Sequence, residues 1–193
     1  MAKPLILASG SPRRKELLTM LGLPFTVDLP SDFAEFTGSQ VTDPAELVLK
    51  NSQGKVQTVS LRHPDALVLG VDTVVFHGDQ ILEKPKNAED AFRMLKLLQG
   101  NMHTVFTAQV LLDTETQRQL ESVEQTAVTF LPMTDEQIRT YIATGEPMDK
   151  AGAYAAQGIG AQFIQKIDGD FFNVVGLSVS RFMELYTQLD QSV

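Results

Sequence analysis

The chain has 193 residues, a net charge of −8, 43% hydrophobic residues and no cysteine. That excludes a disulfide framework and thiolate chemistry. It argues against a disordered or membrane-spanning chain, and against non-specific nucleic-acid binding, which needs a basic face. A local group of Arg and Lys can still hold a small anion, because salt screens the distant acids. The length suits one domain over residues 1–193. The N-terminal apolar run LILA is too short for a signal peptide and reads as a buried strand, so a cytoplasmic enzyme or binding protein is expected.

In chain order, strands alternate with helices. PLILAS (4–9) is a short apolar strand. SPRRKELLTMLG (11–22) follows as a helix, with Ser11 at the N-cap, Pro12 at the first position and Gly22 at the stop. LPFTVDLP (23–30) reads as a second strand and DFAEFTGSQ (32–40) as a loop. Asp43, Pro44 and Glu46 start a helix that runs to about Leu61. ALVLGVDTVVFHGDQIL (66–82) reads as two strands around a turn at 77–80, and Asn87 caps a helix through Leu98. Strands near 102–112 and 120–131 flank a polar turn. Thr134 and Gln137 form a capping box for a helix to about Thr144. Residues 146–160 are rich in Gly and Ala and fit no regular pattern. AQFIQKIDGDFFNVV (161–175) reads as a hairpin over Asp168-Gly169, and a last helix spans about Ser178 to Leu189. The pattern predicts an α/β fold with a mixed twisted sheet and flanking helices.

Two stretches depart from ordinary structural usage. Arg13, Arg14 and Lys15 crowd the first turn of a helix, the end that carries partial positive charge and free N–H groups. Two arginines there cost about 0.3–1 kcal/mol each through the dipole alone. A phosphate cradled by Ser9, Gly10 and Ser11 at the strand–helix turn reverses that sign. The alternative is that these cations reach into solvent. The G-x-x-x-x-G-K-[ST] spacing of a P-loop is absent. The second stretch is GVDTVVF (70–76), with Asp72 inside an apolar strand. Such a carboxylate must be paired, protonated or bound to a metal, and a metal or Lys84 of the nearby Glu-Lys-Pro are candidate partners. Glu35 with Asp32 lies in the loop after the second strand. His63, His77 and His103 lack metal-ligand spacing and read as surface or loop histidines. The Phe and Met residues fall at core positions.

LILASGSPRRKELL, PSDFAEFT, KNSQGKV, LGVDTVV, EKP and DKAGAYAAQG, in that order, resemble the signatures of the Maf family of nucleoside triphosphate pyrophosphatases. The resemblance covers nearly the whole chain. It implies hydrolysis between the α- and β-phosphates with a divalent cation, Mg²⁺ or Mn²⁺. It also implies an elongated two-lobed fold with a central cleft, commonly as a homodimer; charge and the lack of a long apolar run argue for no nucleic-acid and no membrane partner. By this resemblance Ser9, Arg13, Arg14, Lys55 and Lys84 contact phosphate, with Gly10 and Ser11 in the turn. Glu35 and Asp72 are the acids at the reacting centre and the metal ligands, and Asp72 is the proton acceptor. Arg13, Thr73 and Gln157 match the branch that acts on dTTP and UTP; the 7-methyl-GTP branch carries an aromatic, a Gln and a Glu there. A neutral amide at Gln157 suits the carbonyl and N–H edge of thymine or uracil. The alternatives are a 7-methyl-GTP or ITP-type pyrophosphatase, and a nucleotide-binding regulator of cell division.

Overall fold

The computed structural model describes residues 3–189. Met1, Ala2 and residues 190–193, which the expected single domain includes, lie outside the described residues. One mixed sheet runs in the order β2-β1-β3-β5-β6-β7, with β4 paired to β3. β1 (Leu5–Leu7) lies parallel to both β2 (Phe25–Val27) and β3 (Leu67–His77). β4 (Gln80–Leu82), β5 (Met102–Asp113), β6 (Arg118–Phe130) and β7 (Ile164–Asp168) join by antiparallel pairing. The helices are α1 (Pro12–Met20), α2 (Pro44–Ser60), α3 (Ala88–Leu98), α4 (Asp135–Ala143), α5 (Phe171–Val175) and α6 (Val179–Leu189). This is the α/β class with a mixed sheet that the alternating pattern predicts.

The long strand β3 passes from one core to another. Leu67, Leu69 and Val71 pack with Leu17 and Leu18 of α1 and Phe182 and Leu185 of α6. Val75 belongs to a second core, with Leu95 and Leu98 of α3, Phe130 of β6 and Ile138 of α4. Burying a Leu side chain contributes about 1.5–3 kcal/mol, so either core outweighs the several kcal/mol that a desolvated charge costs. Asp72 and Thr73 occupy the stretch of β3 between the two cores, just beyond its pairing with β1. This is where α/β sheets offer a crevice, past the carboxyl ends of the parallel strands.

Helix starts follow the expected side-chain logic in most places. Asp43 accepts from the Glu46 N–H at 2.9 Å, Asn87 accepts from the Asp90 N–H, and Thr134 with Gln137 forms a reciprocal capping box. Ser11 holds the N-cap position of α1, but its side chain makes no capping bond. The second strand is shorter than expected, because only Phe25–Val27 pair with β1.

The hairpin expected over 161–175 is not formed. Three short 3-10 turns (Glu146–Asp149, Ala151–Ala153 and Ile159–Phe163) lead into β7, which pairs back onto β6. After Gly169 the chain turns into α5, because the Asp170 side chain caps the Phe172 N–H at 2.8 Å. An Asp after the Asp-Gly turn is therefore a helix start. Buried Asn173 explains the polar residue in that apolar run: its amide donates to the Val105 carbonyl and to Thr126 Oγ1.

His103 also departs from its expectation. It is buried, with Nε2 against the Tyr154 hydroxyl at 2.8 Å and its ring edge-on to Phe130 and Tyr154. Not every Met is internal either, since Met20 and Met102 are exposed while Met94 and Met133 are buried. Burial, with a smaller push from His77, drives the His103 pKa down to about 3. Between about pH 6.5 and 3 the unfolded chain then binds a proton that the native state does not, so this residue lowers stability as pH falls through that window. A His103→Gln variant should lose that contribution. Denaturant midpoints across pH 3–7 should show a shallower acid slope, by up to about 1.4 kcal/mol per pH unit. Parallel slopes for the two proteins would refute it.

Candidate active site

The site begins with a close approach of helix to strand. A Cβ at Gly70 of β3 would overlap the Ser52 carbonyl of α2, and a Cβ at Gly54 of α2 would overlap the Phe33 ring. Glycine inside a helix costs roughly 1 kcal/mol relative to alanine, so a packing reason is needed at Gly54. The two glycines let α2 lie directly on β3 and let the 32–40 loop lie directly on α2. Asn51 and Lys55, one helical turn apart, then face Asp72.

Lys55 is buried, and its three N–H donors are all used. They go to Asp72 Oδ1 at 2.7 Å, Glu35 Oε1 at 2.8 Å and the Val71 carbonyl at 3.2 Å. Asp72 is thus held by Lys55 rather than by Lys84. Asn51, also buried, donates to Asp72 Oδ2 at 3.1 Å and clamps the Phe36 backbone through both its N–H and its carbonyl. One side chain therefore fixes the acidic loop to the strand carboxylate. Burial works against ionisation of Glu35, but the Lys55 ammonium, with help from Lys84 and Arg14, holds its carboxyl below the usual range.

The opposite wall carries the cations. Arg14 donates from Nε to the Gly176 carbonyl at 2.9 Å, and its two terminal nitrogens donate to Ser9 Oγ at 2.9 Å and Thr73 Oγ1 at 3.1 Å. Every one of these acceptors is neutral, and among the described residues Arg14 has no carboxylate partner. Burial pushes its pKa down to about 10, still far above neutrality. The hydroxyl chain behind it has a fixed direction. Thr107 donates to the Asn173 carbonyl at 3.0 Å, so the 2.9 Å contact between the two hydroxyls is donated by Thr73. Thr73, matched to base preference by resemblance, is thus seated on the Arg14 guanidinium. Arg13 reaches across the cleft to Asp149 at 3.1 Å.

The site residues that the resemblance implies line one cleft of about 690 Å³: the Ser9-Gly10-Ser11 turn, Arg13, Arg14, Glu35, Lys55, Asp72, Thr73, Lys84 and Gln157; Lys15 and Asp32 do not. The family model described as a Maf-like protein matches residues 4–189. The chain belongs to the Maf family. A protein of Bacillus cytotoxicus named dTTP/UTP pyrophosphatase is 45% identical over 97% of this chain and 96% of its own length. One of the same name from Dictyoglomus thermophilum is 43% identical over the whole of both chains. A solved structure described as a nucleoside-triphosphatase, dITP/XTP pyrophosphatase, from Mycobacterium abscessus aligns at 11% identity and a TM-score of 0.43. The alignment covers 86% of this chain and 83% of that one, a likeness too loose to bear on fold or function.

Three features of this Maf site escaped the sequence reading. Asn51 was not singled out, though its i, i+4 spacing from Lys55 puts the two on one side. Glu83 was passed over beside Lys84. It lines the cleft, and burial together with repulsion from Asp72 and Glu35 raises its pKa despite a bond from the Gly38 N–H. The α5 turn supplies two carbonyls, Asn173 and Gly176, that seat Thr107 and Arg14. No local signal marked that role, because the segment reads as a strand.

A fixed guanidinium with only neutral partners should dominate binding of a polyphosphate. Charge-assisted hydrogen bonds are worth about 1.5–3 kcal/mol. Arg14→Met should weaken binding of inorganic tripolyphosphate by about tenfold to a hundredfold in calorimetry, whereas Lys15→Met should leave it nearly unchanged. Equal affinities for the two variants would show that Arg14 does not hold the anion.

Proposed function

We propose that this protein hydrolyses dTTP and UTP between the α- and β-phosphates, giving the nucleoside monophosphate and pyrophosphate. The observation that carries the reading is the division of the cleft. One wall presents Arg14, which makes no ion-pair contact among the described residues; the other presents Asp72 and Glu35 sharing one buried ammonium. The names of the relatives support the base preference.

In this proposal the triphosphate lies on Arg14, Ser9 and the start of α1, and Arg13 leaves Asp149 for a phosphate oxygen. Asp72 accepts the proton of the attacking water as the new oxygen–phosphorus bond forms and the bond to the β-phosphate oxygen breaks. Lys55 holds Asp72 in place through a direct ion pair, and Lys84 adds positive charge at the cleft rim. Catalysis of this kind is mostly positioning and charge stabilisation, which suits a site built from fixed side chains. Gln157, exposed on the cleft, offers a neutral amide to the pyrimidine edge.

The donor set suits a hard divalent cation. Asp72 and Glu35 supply carboxylate oxygens, and Mg²⁺ or Mn²⁺ commonly binds one or two carboxylates together with substrate phosphates and water. Among the described residues no group of three or more metal-ligating side chains gathers, so the ion fits as one shared with the substrate. When bound it would neutralise charge on the phosphates. On the family resemblance alone, we also propose a homodimer acting on free nucleotides in the cytoplasm. Among the described residues no helix is long and apolar enough to cross a membrane.

The test is pyrophosphate release with Mg²⁺ or Mn²⁺ over dTTP, UTP, CTP, 7-methyl-GTP and ITP. Turnover should favour dTTP and UTP and vanish in Asp72→Asn. A preference for 7-methyl-GTP or ITP would overturn the base assignment, and no turnover by folded protein would overturn the activity. Asn51→Leu fills the same space without the three hydrogen bonds. Its kcat should fall about tenfold to a hundredfold with KM little changed, since small misplacements of reacting groups cost that much. Steady-state kinetics on protein with a native thermal melt would check this, and an unaltered kcat would contradict it.

A further inference from the structure

We infer that Glu146 and Tyr141, which do not line the cleft, set nucleobase discrimination by fixing the turn that carries Gln157. The inference rests on the proposal that Gln157 meets the base.

The turn from Tyr154 to Gly160 is wrapped around one carboxylate. Glu146 Oε1 accepts from the Gly160 N–H at 2.9 Å and from the Tyr141 hydroxyl at 2.8 Å, and Oε2 accepts from the Ile159 N–H at 2.9 Å. The same hydroxyl accepts from the Ala155 N–H at 3.1 Å. Two side chains therefore grip both ends of the turn and leave Ala156, Gln157 and Gly158 between them. A connector that merely joined 3-10 turns would not need a carboxylate with three donors on it. The charged acceptor makes each of these bonds roughly twice as strong as a neutral one.

The local sequence is fitted to that grip. Gly158 has φ +112, outside the range of ordinary residues, and a Cβ there would stand 2.5 Å from Glu146 Oε2. A Cβ at Gly160 would stand 2.5 Å from the Tyr141 hydroxyl and 2.6 Å from the Ala155 carbonyl. Both glycines are thus places where backbone closes onto the two gripping side chains. The grip is also anchored. Tyr141 is buried in the α4 core and stacks edge-on with Phe163 at 5.3 Å. Lys150 ties the Glu146 carbonyl at 2.7 Å and pairs with Asp149, the residue that holds Arg13. Burial raises the Tyr141 phenol, which stays protonated as the donor. Burial opposes ionisation of Glu146, but the Gly160 and Ile159 N–H groups and the Tyr141 hydroxyl outweigh it and keep the carboxyl low. The turn is therefore fully held at neutral pH.

The test compares wild type with Glu146→Gln, Tyr141→Phe and Gln157→Ala. The readouts are kcat and KM for dTTP and dCTP, and amide hydrogen exchange of residues 155–160. Glu146→Gln keeps the shape but turns half of the acceptor into a donor facing N–H groups. It should cut the dTTP-to-dCTP ratio of kcat/KM by about tenfold, through KM, with kcat within about threefold, and should speed exchange across the turn. Tyr141→Phe should do the same to a smaller degree. If Gln157→Ala loses discrimination and Glu146→Gln keeps it, the inference fails while the base-reading proposal stands. If Gln157→Ala leaves the ratio unchanged, or wild type turns over no nucleotide, the base-reading proposal fails and takes the inference with it. A Glu146→Gln variant that loses kcat equally on both nucleotides also overturns it, because the residue would then act on the chemistry and not on the base.

Discussion

The buried ammonium of Lys55 is the interaction around which the cleft is organised. A lone charge there would cost several kcal/mol, and removing one partner of a buried pair typically costs about 3–5 kcal/mol. The structure answers with two carboxylates and a backbone carbonyl, one for each N–H. Those partners come from two elements: Glu35 from the 32–40 loop, and Asp72 with the Val71 carbonyl from the middle of β3. Bringing them together requires α2 to sit almost in contact with β3, which accounts for Gly70, and the loop to lie on α2, which accounts for Gly54. Asn51 completes the set from the same helix face, satisfying Phe36 in the loop and Asp72 in the strand. The acids are thus held in register before any ligand arrives, the preorganisation on which electrostatic catalysis depends.

Most of the framework was legible because periodicity and capping are local. The apolar runs of β3 and β5 and the caps Asp43, Asn87 and Thr134 are each read within a few residues. The cationic start of α1 was legible for the opposite reason: it violates helix electrostatics, and a violation points to a ligand. What could not be read depends on distant contacts. The partner of Asp72 is Lys55, 17 residues away on a helix, and not the Lys84 that follows a short turn. His103 sits in a strand whose pattern is compatible with either face, and only Tyr154, 51 residues on, shows why it is buried. The α5 segment misled because its four apolar and aromatic residues around Asn173 carry no period. The deciding feature was one Asp that caps rather than turns.

The two arginines at the start of α1 have distinct physical situations, which the linear sequence conceals. Arg14 is bonded to three neutral oxygens and cannot turn away without leaving them unsatisfied, so its charge is permanent and aimed. Arg13 is paired with Asp149, whose side chain is 58% exposed. Pairs that open to solvent are worth only about 0–1 kcal/mol, less than the 1.5–3 kcal/mol of a charge-assisted bond to phosphate. Under the proposed function, exchange of Asp149 for phosphate is then downhill. It removes a neutralising acid from Arg13 at the moment the substrate brings negative charge. An acidic protein with a net charge of −8 can in this way keep a strongly anion-attracting cleft. One cation is fixed by neutral oxygens with no ion-pair contact among the described residues, and its neighbour is stored against a counter-charge that is easily given up. The tie from Asp149 through Lys150 to Glu146 places that exchange on the same short segment that holds the Gln157 turn. The release of Arg13 and the presentation of Gln157 would therefore both depend on one continuous hydrogen-bonded loop.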